Sequence, residues 1–403
     1  MRTGFIRNLA SQSGIAAVAL AAVTMGAAPA AAQRAEPCIG ASWELTGALA
    51  HMGRQIRYGV ETALAEINAS GGVLGQQLRL RVYDDAGEPP RAVDNAMRIG
   101  EQDNCIAMIG GARTPSAIAL RQPLHDMGLP WIGVVSAGVR VLDHEGRANK
   151  WMFRVGLNDG LVAPFLIDNA IKLAPTRKVA FMHEASAWGQ GAAPVVQAAA
   201  RTAGLTLLGT ETFNVGDTDM TAQLIRLRTA GVESIVYYGL DAETDALLRS
   251  MERLNYRPTI VSALGIGAQL SSTAGALANG VRVMGTFSFW GKLDDNAQRV
   301  LNTIKANYRE VTGPKDLLLH SGTASAYDVT HIIANAIKLA GSFDRAKMRD
   351  ALYKVEHKGL ITHYKPAFTP QNHDALRPEM YRLFAFHDGM VIPVEDSPYA
   401  AKK

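Results

Sequence analysis

Cysteine is nearly absent: 403 residues contain two, Cys38 and Cys105. That excludes a disulfide-dense scaffold and any four-cysteine zinc module. Charge is sparse too, at 19% of residues, and nearly balanced at a formal net +4. No Lys/Arg stripe with interleaved aromatics occurs, so no nucleic-acid partner is expected. Catalytic signatures are missing: there is no G-x-S-x-G turn, no H-E-x-x-H helix and no Walker loop. The run Gly265-Ile266-Gly267-Ala268 is half a dinucleotide loop without its third glycine, far from the first strand. His357 and His363 stand six apart with no further ligand near them, and read as two solvent-facing histidines on a connecting segment. No enzyme, metal or cofactor is therefore expected. Short-period repeats and low-complexity linkers are lacking as well.

What is present begins with an address. Arg2 and Arg7 precede an alanine-rich apolar run from Gly14 to about Ala28, and Ala30-Ala31-Ala32 stands before Gln33. A basic start, a short apolar core and an A-x-A exit make residues 1–32 a cleavable export signal. A membrane anchor would need about 20 apolar residues and no such exit. Ala35-Glu36-Pro37 before Cys38 is not a lipoprotein site, so a soluble exported protein is expected. The remaining length exceeds one average α/β domain, and 48% hydrophobic residues suffice for two cores.

The stretch Cys105–Gly138 organises the chain. Cys105–Ile109 is a short apolar run stopped by Gly110-Gly111; an amphipathic segment Ala117–Met127 and a second apolar run, Pro130–Val135, follow. Continuous apolar runs bounded by glycine read as strands buried on both faces, here in a parallel βαβ unit. Ligands in open sheets of such units bind beyond the carboxyl ends of the strands. Those ends carry Arg113, Thr114, Ser136 and Ala137. Cys38 and Cys105 each open an apolar run, and in a 2-1-3 strand order these runs are neighbours. Export and strand order favour a Cys38–Cys105 disulfide over two buried thiols.

Further along, Leu45-Thr46-Gly47, Glu66-Ile67-Asn68-Ala69-Ser70-Gly71-Gly72-Val73-Leu74-Gly75, Asp84-Asp85-Ala86-Gly87, Ala187-Trp188-Gly189-Gln190-Gly191, Gly216-Asp217-Thr218-Asp219 and Gly389-Met390-Val391 follow in order. The mature chain thereby resembles the periplasmic substrate-binding proteins of branched-chain amino acid-type ABC importers. The resemblance implies an α/β type I periplasmic binding fold: two doubly wound parallel-sheet lobes joined by three crossover segments, with ligand held between them. On this sequence the lobes are residues 33–154 with 286–356, and 155–285 with 357–403. The implied function is a periplasmic receptor that delivers a small carboxylate-containing ligand, an amino acid or a simple or aromatic acid, to an ABC permease. A monomer is expected. The alternative is a sensory module of the same fold that reports ligand to a membrane partner.

The resemblance also implies roles for individual residues. Thr114 sits where the family presents donors to a ligand carboxylate, though it also suits a helix N-cap. Arg113 replaces a small residue and, facing the cleft, would fork a carboxylate. Ser136 and Ala137 match the second ligand loop, where Gly138 stands in place of a frequent threonine. Trp188 takes the place of an aromatic over the ligand. Tyr238 ends a strand at the cleft or belongs to the core, and Trp43 and Met52 floor the pocket or pack the first lobe. Leu264 stands where amino-acid binders place an acid for the ammonium group. Asp241 is the one substitute identified, unless it caps its own helix. Without a partner a buried ammonium is costly, so a carboxylate lacking the amine is expected to bind better than leucine.

Overall fold

The computed structural model describes residues 36–144 and 147–400; the expected export signal lies outside them. The apolar runs are strands, and helices cover their faces. Five parallel strands form the first sheet: β1 (Cys38–Trp43), β2 (Arg79–Asp84), β3 (Ala107–Gly110), β4 (Trp131–Gly133) and β5 (Met152–Arg154). Their order is β2-β1-β3-β4-β5. The second sheet contains β6 (Val179–Glu184), β7 (Thr210–Phe213), β8 (Ser234–Tyr238), β9 (Thr259–Ser262), β10 (Arg282–Gly285), β11 (Arg382–His387) and β12 (Met390–Pro393). Its order is β12-β11-β10-β9-β8-β6-β7, and only β11 runs against its neighbours. This is the two-lobed α/β architecture expected.

Ile39 of β1 lies opposite Ala107 of β3, which brings the preceding cysteines together. Cys38 and Cys105 form a disulfide with their Cα atoms 4.7 Å apart.

Helices α1 (Ala50–Ala69), α2 (Pro89–Met97), α3 (Thr114–Ala119) and α4 (Arg121–Met127) belong to the first sheet's crossovers. The segment Ala117–Met127, expected as one amphipathic stretch, is split between α3 and α4. Pro123 has no N–H to donate to Ala119, which explains the break. In the second lobe follow α5 (Asp159–Lys172), α6 (Ala187–Thr202), α7 (Thr221–Thr229), α8 (Asp241–Arg253) and α9 (Gln269–Ala274). β7 pairs with β6 from Thr210 onward.

After β10 the chain returns to the first lobe as α10 (Asp295–Asn307), α11 (His320–Ala340) and α12 (Arg345–Leu352). Along its length α11 packs on α1. A Cβ on Gly59 of α1 would lie 2.2 Å from the Thr323 carbonyl, so only glycine permits this approach. The final crossing to the second sheet comes later than the expected boundary at 357. Asp328 of α11 accepts the Leu360 and Ile361 N–H groups and the Tyr364 hydroxyl. Further on, the Ala375 N–H still bonds the Arg154 carbonyl of β5. These contacts hold residues 360–375 beside the first lobe. His357, expected to face solvent, is instead half-buried and stacked on His331 of α11; His363 is exposed. No helix of the described residues is long and apolar enough to cross a membrane.

Candidate functional site

A cavity lies between the lobes, at the strand ends. Leu49, Met52, Ala112, Arg113, Thr114, Pro115, Val135 and Ala137 line it from the first lobe, and Glu184, Trp188, Leu240, Leu264 and Gly265 from the second. Six of the ten residues expected at the site are therefore in its wall: Met52, Arg113, Thr114, Ala137, Trp188 and Leu264.

One of those positions explains a departure noted in the sequence. The Thr114 hydroxyl accepts the Gly138 N–H at 3.2 Å, joining the two ligand loops. A Cβ on Gly138 would stand 2.4 Å from Thr114 Cγ2, so the missing threonine is the condition for this contact. Trp188 donates from Nε1 to Asp159 Oδ2 at 2.9 Å, and its ring lies so close to Gly265 that a Cβ there would be 2.5 Å away. Tyr238 supports the same indole from behind, with ring centroids 5.2 Å apart.

Four expected site residues do not line this cavity. Trp43 is fully buried in the core, because it is the last inward-facing residue of β1. Ser136 is buried behind the second loop, whose carbonyls at 136 and 138 accept from the Arg154 guanidinium. Tyr238 is fully buried in the core under Trp188. Asp241 lies at the cleft mouth with its carboxylate already committed. Its Oδ1 accepts the Gly267 and Leu270 N–H groups at 3.0 and 3.1 Å, and its Oδ2 meets His51 Nε2 at 3.0 Å. Asp241 therefore holds the loop leading into α9 and bridges to α1. Burial raises its pKa, with His51 and the two backbone bonds opposing.

An acidic side chain does stand in the cavity wall, away from position 264. Glu184, the last residue of β6, is fully buried and lines the cavity. One carboxylate oxygen takes the Ser186 hydroxyl; the other makes no hydrogen bond. Burial pushes its pKa up, while the Ser186 bond and the Arg113 charge pull it down. A sequence signal for it exists, since Glu184 closes a strand just as Gly110 and Gly133 do.

Glu44 also escapes the reading of the sequence. It follows β1, is fully buried, and accepts the Ala112 and Arg113 N–H groups at 3.0–3.1 Å. It thus fixes the backbone from which Arg113 and Thr114 project. Burial, with Asp85 nearby, raises this carboxyl to about 7.

The lobes are closed on one another. His51–Asp241 links α1 to α8 at the mouth, and both side chains are buried. At the base, Arg154 donates to Asp374 at 2.6 Å, and Asn158 donates to the same carboxylate at 2.7 Å. This pins the first crossover to the segment that leads into the third.

The model of the periplasmic binding protein family matches residues 36–385. A Leu/Ile/Val-binding protein homolog 3 of Brucella melitensis is 29% identical over 385 residues, covering 94% of this chain and 99% of the relative. An amino acid binding protein of Pseudomonas aeruginosa is 31% identical over 345 residues, covering 85% of this chain and 88% of that one. In fold, the crystal structure of a type 1 periplasmic binding protein from Bordetella pertussis superposes with a TM-score of 0.81. It has 24% identity and covers 89% of this chain and 100% of its own.

Proposed function

The chain belongs to the periplasmic binding protein family, of the Leu/Ile/Val-binding type, and from that premise we propose that it captures an apolar α-amino acid for an ABC permease. The observation that carries this reading is Glu184. A buried carboxylate with one oxygen free, set in a cavity wall, is a ready partner for an ammonium group, and pairing removes the cost of leaving it unsatisfied. Arg113 lines the same cavity and supplies the opposite charge for a carboxylate. Leu49, Met52, Val135, Leu240 and Leu264 surround an apolar side chain, which gains ~25 cal/mol for each Å² buried. The name of the Pseudomonas relative points the same way. This reading departs from the expectation of an acid without an amine, which rested on Leu264 and Arg113.

The division of labour follows from the hinge. The ligand first meets one lobe in the open form and is buried when α1 and α8 meet, a population shift set by its contacts to the closed state. Export by residues 1–32, a periplasmic site of action and a monomeric receptor complete the proposal. The lobe division we infer is 33–154 with 286–356, and 155–285 with the C-terminal segment, the last boundary falling near residue 375.

Isothermal titration tests the ligand class. Leucine and valine are expected to bind, and 4-methylpentanoate, which is leucine's skeleton without the amine, to bind at least tenfold more weakly. Glu184→Gln is expected to remove most of that difference. Tight binding of the amine-free acid, with no response to amino acids, would overturn the proposal.

A further inference from the structure

Behind Leu264 lies a second recess, lined by residues within 264–268, 283–288 and 317–321 and by 384 and 391. Leu264 is the residue that both cavities share, and it is half-buried. Its neighbours are held on both sides. Gly265 is pressed under the Trp188 ring. Gly267 donates to Asp241, the Ala268 N–H donates to the Leu318 carbonyl at 2.8 Å, and a Cβ on Gly267 would lie 2.6 Å from that carbonyl. The backbone is therefore fixed at both ends, and Leu264 is the one residue that lines both spaces.

The chemistry of the second space is one-sided. Met284, Phe287, Leu319, Phe384 and Val391 are among its walls. Its polar side chains are already satisfied. His320 Nδ1 accepts the Phe289 N–H and its Nε2 meets the Pro314 carbonyl, while Ser321 accepts the Thr286 N–H and reaches the Phe287 carbonyl. Burial drives the His320 pKa down to about 4, so the ring is neutral at pH 7. Such a space takes hydrocarbon and rejects a charged or hydrogen-bonding group, whose loss of water nothing there would compensate.

We infer that this chamber is a subsite for the far end of the ligand's side chain, and that the preferred ligand is an α-amino acid with a long linear or aryl side chain that turns Leu264 aside. The inference rests on the amino-acid reading above and deepens it. Leu264 can yield by changing rotamer, because the fixed loop leaves its side chain the movable part. Each methylene that passes into the chamber is expected to tighten binding about fourfold.

Titration with 2-aminobutyrate, norvaline, norleucine, 2-aminoheptanoate and 2-aminooctanoate provides the test. Affinity is expected to keep rising beyond norleucine. Val391→Trp, on the short closing hairpin, fills the chamber from its rim. It is expected to remove the gain of the two longest members and to leave 2-aminobutyrate within twofold. Leu264→Ala is expected to raise affinity for the longest members. If short amino acids bind but affinity falls beyond norleucine, the subsite is refuted while the amino-acid reading stands; the subsite is equally refuted if Val391→Trp weakens all members to the same extent. If no amino acid binds, the amino-acid reading fails and xenon decides on the chamber: density behind Leu264 in pressurised crystals supports an open apolar space, and its absence overturns it.

Discussion

Replacing His51 by alanine should loosen the grip on ligand without touching the ligand. His51 belongs to α1 in the first lobe and Asp241 to α8 in the second; they meet at 3.0 Å, and both are more than nine-tenths buried. Deleting the imidazole leaves Asp241 Oδ2 without a partner, while Oδ1 keeps the Gly267 and Leu270 N–H groups. A buried acceptor left unmade costs ~1–3 kcal/mol, and the surviving bonds argue for about the middle of that range. Opening separates α1 from α8 and returns Asp241 to water, so the cost falls on the closed state alone. About 2 kcal/mol on that state corresponds to a roughly 30-fold weaker apparent affinity. Titration calorimetry with leucine on the native protein, His51→Ala, Asp241→Asn and the double variant measures it, with small-angle scattering to follow closure. The double variant is expected to be little worse than either single one, because both remove the same contact. An affinity for His51→Ala within twofold of native, or single losses that simply add, would refute the latch.

Three further outcomes are expected. Removing both cysteines opens a loop between positions 67 apart and should cost ~4 kcal/mol in the chain-entropy model, read as a lower denaturation midpoint in urea. Burial above all raises the Asp159 carboxyl from 3.8 to about 7, with Arg154 and Trp188 opposing. The folded protein then keeps a proton that the unfolded chain releases near pH 4, so stability is lost as pH rises from about 4 to 7, by up to roughly 4 kcal/mol. Asp159→Asn should flatten that decline in thermal melts taken between pH 4.5 and 7.5, and an unchanged slope would contradict the assignment. Gly138→Ala sets a methyl 2.4 Å from Thr114 Cγ2 and should destabilise by ~1–3 kcal/mol and weaken ligand binding. Thr114→Ser, which deletes that methyl, should restore most of both in the same assays.

The sequence by itself determined the strands, their parallel pairing and the two-lobed plan. Glycine-bounded apolar runs such as Cys105–Ile109 can be buried on both faces in few other ways, and strand order then placed Cys38 beside Cys105. It also determined which loops face the cleft, since strand ends are local features; hence Arg113, Thr114, Ala137, Trp188 and Leu264 are legible in it. What only the tertiary structure decided is which way each side chain points once a strand has ended. Trp43 and Tyr238 terminate strands as Glu184 does, yet the first two turn into the core while Glu184 reaches the cavity. Asp241 looks free in the sequence because its partners, His51 and the 267–270 loop, are 190 and 26–29 residues away. Burial, charge pairing and cavity walls are sums over residues distant in sequence, and no local pattern carries them. The second chamber is the plainest case, because its walls come from segments near 264, 284, 319 and 384 that share a space only after the last crossing of the chain.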